Sequence, residues 1–334
     1  MRLIERLTHM LVVLLGVSML MFFLVRVLPG DPVAAALGEG VDQAQVEKLR
    51  AQMRLDKPIP LQYLSYLGDL ARGHFGPSLI ESRDVGQIIR ERLPATLELV
   101  LAGLFIAVVV GLPLGVISAI RRNTRIDHAA RVISLSGVSF PEFWVALMLQ
   151  LVFGAWLAML PVTGRLSGPA PADITGLYLL DSLLTANGAA FWDSARHLLA
   201  PAFVLALGPM TNIARMVRSS MLDELAKPYP ALSRAVGIHP FIVNMKYVLR
   251  NAFSSTLTVI GFLFPLMIGG AFVVENVFAW PGIARFGAAA IVANDYNAVV
   301  GITLVVCLFV VVINFIVEEL YTVLDPRIRL GAES

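Results

Sequence analysis

The stretch LELVLAGLFIAVVVGLPLGVISAIRRNTRIDHAAR, Leu97 to Arg131, joins two opposed patterns. It begins as a long apolar run and ends with four arginines, Arg121, Arg122, Arg125 and Arg131. About 20 apolar residues in a helix match a hydrocarbon layer of roughly 30 Å. A basic loop directly behind such a run marks the cytoplasmic side. The rest of the chain repeats this alternation. Apolar residues make up 57% and charged residues 15% of the 334, against about 25% charged in soluble domains. Mean hydropathy is +0.76. A net charge of +2 gives no argument for a nucleic-acid partner.

The hydropathy pattern predicts an all-α membrane protein with six spans. They lie near Leu7–Leu28, Leu97–Ile120, Val132–Leu160, His197–Met216, Leu257–Val277 and Ala298–Val323. Pro141, Pro201, Pro209 and Pro265 fall inside spans and predict kinks, whose freed backbone groups neighbouring helices can satisfy. The first span is longer than a signal-peptide core and lacks a small-residue cleavage site, so it reads as retained. Arg2 and Arg6, the four-arginine loop, the segment from Arg215 to Arg250, and Arg327 with Arg329 share one side. The intervening loops carry mainly Asp173, Asp181, Asp193 and Asp295. Both termini are therefore expected in the cytoplasm.

The first external loop, Pro29 to Arg92, is the longest and patterned. Asp42 suits an N-cap with Gln45 three residues on, and Val46, Leu49 and Met53 follow at helical spacing. A second apolar stripe runs through Leu61, Leu64 and Leu67, and a third short helix is expected with Val85, Ile88 and Ile89 behind Asp84. A small helical cap is expected here. It either docks a soluble partner through Val46, Leu49 and Met53 or is a structured loop; long ordered loops are often functional.

Chemistry is sparse. No GxxxxGK[ST] loop, HExxH or GxSxG occurs, so neither nucleotide binding nor hydrolysis is expected of this chain itself. The five histidines are scattered and predict no metal site. Cys307, the one cysteine, reads as a small apolar packer. The ionisable residues noted inside spans are Glu142, Glu318 and Glu319; each is a functional hypothesis by default, with snorkelling to an interface as the plain alternative. A proton-coupled carrier needs more central acids.

One cytoplasmic segment stands out: PYPALSRAVGIHP, Pro228 to Pro240. Pro230 suits a first helical turn, Ala231 to Val236 allow about two turns, and Gly237 suits a left-handed terminus. Such a helix cannot stand alone. It is either held in a partner's groove or a simple connector.

Motifs along nearly the whole chain resemble the inner-membrane permeases of bacterial ABC importers, in the dipeptide/oligopeptide/nickel permease family and closest to its dipeptide branch. They are VLPGDPV, ERLPATLELVLAG, GVSFPEFW, LPVTGR, HLLAPAFVLALG, RMVRSSMLDEL, VENVFAWPGIARF, DYNAVVG and YTVLDPRIR, in that order. The resemblance implies a type I importer permease fold: a first helix over 1–28, a periplasmic cap over 29–94, a core over 95–326 and a cytoplasmic tail over 327–334. It implies a coupling helix at about 229–239, with Ala231, Leu232, Ser233, Arg234, Ala235, Val236, Gly237 and Ile238 against a groove of an ATPase subunit. The implied partners are a second, homologous permease, two ATP-binding subunits, a periplasmic solute-binding protein and membrane lipid. ATP and magnesium would be held by the ATPases, with no cofactor in this chain. Pro230, Val236 in place of a common Lys, and Ser255 in place of a common Pro depart from the family pattern. The implied cargo is a dipeptide or short oligopeptide, with nickel, glutathione or another small solute as alternatives on the same fold. The alternative in another class is an ion-coupled carrier, for which inverted repeats would be the sign.

Overall fold

The computed structural model describes residues 2–27 and 58–324. These form α1 (Arg2–Val27), α2 (Ile59–Ala71), α3 (Val85–Ile120), α4 (Arg125–Ser139) and α5 (Glu142–Trp156, π-helical from Gln150). Then come α6 (Tyr178–Leu184), α7 (Gly188–Leu225), α8 (Pro228–Ala235) and α9 (Pro240–Val277, π-helical over Val243–Val248). The last are α10 (Ile283–Val292) and α11 (Tyr296–Leu324). No strand occurs among the described residues. Val46, Leu49 and Met53, the helix expected around them and the tail 327–334 lie outside the described residues.

Four helices, α3, α7, α9 and α11, are long and apolar enough to cross a membrane, and the bent pair α4–α5 makes a fifth if it is one span. The apolar stretch of α1, Thr8–Phe23, is shorter. Three of the expected spans are only parts of longer helices: the C-terminal portions of α3 and α9 and the middle of α7. The helices α3, α7 and α9 have 36, 38 and 38 residues, about 54–57 Å at 1.5 Å per residue, well beyond a bilayer core.

The chain divides into two units. One comprises Met1–Leu93 and Phe286–Val311. Here α2 lies on α1 through aromatics: Phe22 meets Tyr63 edge-on at 5.2 Å, and Tyr63 Oη shares a hydrogen bond with Ser18 Oγ at 2.9 Å. Tyr66 and Leu70 pack on Met21, Val300 and Leu304. Of the apolar stripe Leu61, Leu64 and Leu67, the first two are exposed. The two tyrosines bury larger area on the opposite face and decide the rotation. The short helix expected at Val85–Ile89 is the first turns of α3, which runs on through Pro94. Asp84 Oδ1 accepts from the Gly86 amide at 2.8 Å. Asp295 is buried and accepts from Ser78 Oγ at 2.5 Å and the Leu79 amide at 2.8 Å.

The other unit comprises Pro94–Arg285 and Val312–Ser334, with α7 as its most buried long helix. In lipid, helices associate by close packing of small residues rather than by apolar burial. Gly111 and Gly115, a GxxxG pair on α3, show this: a Cβ on them would lie 2.7 Å from Met210 O and 2.6 Å from Ala214 O of α7. On the facing side of α7, Thr211 Oγ1 donates to the Ser134 carbonyl of α4. The expected kinks resolve unequally. Pro201, Pro209 and Pro265 stay inside continuous helices. At Pro141 the pair α4–α5 bends by 99°. Phe140 is extended there (φ −105°, ψ 142°), as a residue before proline prefers.

Candidate functional site

The segment after α7 forms α8 two residues earlier than the sequence suggests, with Pro228 rather than Pro230 in the first position. Its end is a Schellman motif: the Gly237 amide donates to Arg234 O at 3.0 Å and the Ile238 amide to Ser233 O at 3.1 Å. Gly237 has φ +87°, the left-handed conformation that a Cβ disfavours.

A helix of eight residues is not stable in isolation, so α8 is fixed from outside. Pro230 is buried, and Tyr229 and Ile238 pack on the apolar cluster that includes Val217, Met221, Val243 and Val248. Tyr229 Oη donates to Glu224 Oε2 at 2.8 Å and accepts from Asn251 Nδ2 at 3.3 Å. Burial pushes the Tyr229 phenol above its ordinary value, which keeps it a neutral donor. Arg234 reaches Asn244 Oδ1 at 3.3 Å. The helix is thus clamped between the last turns of α7 and the first of α9.

Of the eight expected coupling residues, Ala231, Leu232, Arg234, Ala235, Val236 and Gly237 are exposed, while Ser233 and Ile238 turn half inward. The resemblance sets all eight against the groove alike. The structure instead puts two large apolar side chains outermost, Leu232 at 66% and Val236 at 69% exposed. Phe241 and Ile242 continue the patch. Exposed apolar patches mark contacts with protein or with membrane.

A polar clamp ties α7 to α3 and α4. Asp127 is fully buried. It accepts from Ser118 Oγ, from the Asn123 amide at 2.9 Å, and from Arg218 Nε and Nη2 at 3.1 and 3.0 Å. Arg218 stands on α7 seven residues before Leu225, about 10 Å along the axis.

A second clamp sits near the opposite end of α3. Glu98 meets Arg165 Nη2 at 2.5 Å, and each is 6% exposed in its side chain. Glu98 Oε1 also accepts from the Leu179 amide at 2.8 Å. The guanidinium lies 3.7 Å over the Tyr178 ring and donates to Gly176 O at 2.9 Å. Next to it, Glu275 is fully buried and accepts from Thr96 Oγ1 at 2.5 Å and the Arg285 amide at 2.7 Å. Trp280 Nε1 donates to Ala95 O at 2.9 Å. Sequence reasoning named Glu142, Glu318 and Glu319 as charges within spans and passed over Glu98 and Glu275. The signal was present, since both lie in apolar surroundings in the sequence. Glu142 is half-buried at the start of α5, and Glu319 is exposed on α11.

Glu98, Arg165, Arg218 and Glu275 fall on stretches that carry the family resemblance, and comparison with known proteins agrees. Residues 111–330 match the family described as "Binding-protein-dependent transport system inner membrane component", and residues 1–100 match its N-terminal companion. The probable D,D-dipeptide transport system permease protein DdpB of Escherichia coli (strain K12) is 38% identical over 329 residues, covering 98% of this chain and 97% of that protein. The di/tripeptide transport system permease protein DppB of Pseudomonas aeruginosa (strain UCBPP-PA14) is 41% identical over 318 residues, 94% of each. Among solved structures, a chain of the inward-facing MetNI methionine ABC transporter superposes with TM-score 0.54 at 19% identity, covering 72% of this chain and 97% of that one. That likeness speaks to the fold alone. The chain belongs to the family of inner-membrane components of binding-protein-dependent transport systems.

Proposed function

We propose that this chain is one of two permease subunits of an ATP-driven importer for dipeptides or short oligopeptides. It crosses the bacterial inner membrane six times with both termini in the cytoplasm. A periplasmic binding protein delivers the cargo, and two separate ATPase subunits hold and hydrolyse ATP. The substrate class rests on relatives named as dipeptide permeases that align over 94% or more of this chain. The observation that carries the mechanism is α8, held on both sides by long helices with Leu232 and Val236 outward.

In this reading α8 is the coupling helix. When the ATPases close on ATP, a groove on each carries its coupling helix with it. Because α8 is anchored through Tyr229, Pro230 and Ile238, the movement passes into α7 and α9 rather than being lost in a loop. The Asp127–Arg218 clamp extends it to α3 and α4. The pathway then alternates between inner and outer access, each state stabilised by different partner contacts.

Reporter fusions test the orientation: those after Arg72 and Asp181 read periplasmic and those after Arg125 and Asp223 cytoplasmic, and reversal at two sites sinks the topology. The function is tested in proteoliposomes holding this chain with its second permease and ATPases. Ligand-loaded binding protein is expected to stimulate ATP hydrolysis and dipeptide uptake. Dipeptide uptake that persists without ATP refutes the proposal.

A further inference from the structure

The turn between α3 and α4 collects positive charge that the fold leaves unanswered. Between Glu98 and Glu142 the only acid in the sequence is Asp127, and it is fully buried. Two guanidinium groups already face it, Arg218 at 3.0 Å and Arg131 at 3.4 Å. Arg121, Arg122 and Arg125 are exposed. Among the described residues no hydrogen bond or ion pair engages their guanidinium groups.

The turn that carries them is held firmly. The Thr124 amide donates to Arg121 O at 3.1 Å, and Thr124 Oγ1 donates to the same carbonyl at 2.5 Å. The Asn123 amide donates to Asp127 Oδ2 at 2.9 Å. Asp127 also accepts from Ser118 Oγ of α3, which ties the two helix ends together. A turn closed in this way keeps the Cα atoms of its first and fourth residues within about 7 Å, so three long side chains can converge on one anion.

Both helices meet this turn with apolar residues outward. On α3, Ile117 and Ile120 are exposed, and Arg121 follows Ile117 at a spacing of four on the same face. On α4, Ala129 and Val132 stand four and seven residues after Arg125, beside Ile126 and Ile133, and all are exposed. The inward face of α4 is small and polar instead, with Asp127, Ala130 and Ser134 buried. Polar groups inward and apolar ones outward suit a helix in lipid. Since α3 is long and apolar enough to cross a membrane, its outer face continues into the bilayer, where a soluble protein is no occupant. Arginine stems lie along such surface with their charged heads at the interface, and their planar heads match phosphate with paired hydrogen bonds.

We propose that the α3–α4 turn is a binding site for an anionic phospholipid, its phosphate held by Arg121, Arg122 and Arg125 and its acyl chains lying along Ile117 and Ile120 and along Val132 and Ile133. Membrane orientation requires only that the loop be basic; the site in addition selects among lipids. It depends neither on the cargo nor on the side of the membrane assigned above.

The test uses the full chain in detergent, given equal amounts of dioleoyl phosphatidylglycerol and dioleoyl phosphatidylcholine, with single-lipid adducts measured by native mass spectrometry. The wild type is expected to favour phosphatidylglycerol about tenfold or more, and Arg122→Gln to lower that ratio about fivefold, the size of one basic residue at an anionic surface. The triple variant Arg121→Lys, Arg122→Lys, Arg125→Lys keeps the charge and most of the ratio. Arg250→Gln, at an exposed arginine elsewhere on α9, leaves it unchanged. Inorganic phosphate equimolar with the lipid does not displace the adduct, because it lacks the acyl chains. Equal adducts of the two lipids in the wild type, a ratio unmoved by Arg122→Gln, an equal fall in Arg250→Gln, or displacement by phosphate would each overturn the inference.

Discussion

The Glu98–Arg165 pair makes a sharp test of the packing described above. Both side chains are 6% exposed and 2.5 Å apart. Glu98→Gln leaves an acceptor for the Leu179 amide but strips Arg165 of its counter-charge. Arg165 keeps Gly176 O at 2.9 Å and the Tyr178 face at 3.7 Å, contacts present in both proteins that therefore do not offset the loss. Breaking a buried pair by removing one partner costs about 3–5 kcal/mol. Because Gln still serves Leu179, the lower end applies, about 3 kcal/mol. Glu98→Ala also orphans the Leu179 amide and belongs near 5 kcal/mol. At about 2.1 cal/mol/K of unfolding entropy per residue, a chain of 334 residues turns that loss into a fall in apparent melting temperature of roughly 4–7 °C. Thermal scans of detergent-purified protein, read by the surviving monodisperse peak in size-exclusion chromatography, measure it. The double variant Glu98→Gln, Arg165→Met removes both charges and is expected to recover part of the loss. If Glu98→Gln melts within about 2 °C of wild type, or the double variant is simply additive, the pair is not the coupled unit described here.

Gly115→Leu places a side chain where the Ala214 carbonyl would lie 2.6 Å from its Cβ. Backbone cannot yield cheaply there, so a loss of about 1–3 kcal/mol and a lower melting temperature in the same scans are expected, whereas Gly16→Leu, open within 4 Å, changes little. Asp181 supplies a pH test: burial alone would raise its carboxyl, but the Thr175 hydroxyl and the amides of Thr175, Ile174 and Gly176 outweigh this and hold it below the usual range. A carboxyl depressed in the folded state contributes stability above the unfolded value of about 3.9 and loses it as pH falls through the folded value. Asp181→Asn is therefore expected to melt lower at pH 7 and to lose less than wild type between pH 6 and pH 3; parallel pH curves contradict this.

Much of the bundle was legible because bilayer thickness imposes run length on sequence. The interiors of α3, α7, α9 and α11 stand out as apolar stretches, and Gly237 between prolines points to a small helix with a sharp end. The overhangs were not legible: α7 extends to Leu225 through charged residues that hydropathy excludes but tertiary packing stabilises. Nor was the unequal effect of prolines. Pro201 and Pro265 sit in helices supported by neighbours, while Phe140 before Pro141 adopts the extended form. The clamps escaped because their partners are far apart in sequence, Glu98 from Arg165 by 67 positions and Asp127 from Arg218 by 91. At α8, spacing revealed the helix, but only the fold decides that Leu232 and Val236 face outward while Ile238 packs inward.

The central claim is that α8 grips the ATPase. Co-purification of the ATPase subunits with tagged permease, beside a membrane-insertion control and an uptake assay, tests it most directly. Ala235 is exposed on α8, so on the proposed reading Ala235→Trp holds the helix out of a groove without disturbing the bundle. At φ +87°, Gly237→Val adds roughly 1–2 kcal/mol of backbone strain and breaks the Schellman end. Arg234 is exposed, and losing it is worth about 0–1 kcal/mol. The account predicts that Ala235→Trp and Gly237→Val insert normally but lose the ATPases and uptake, while Arg234→Ala keeps both. Wild-type ATPase retention and uptake in the two bulky variants would contradict it and reduce α8 to a connector.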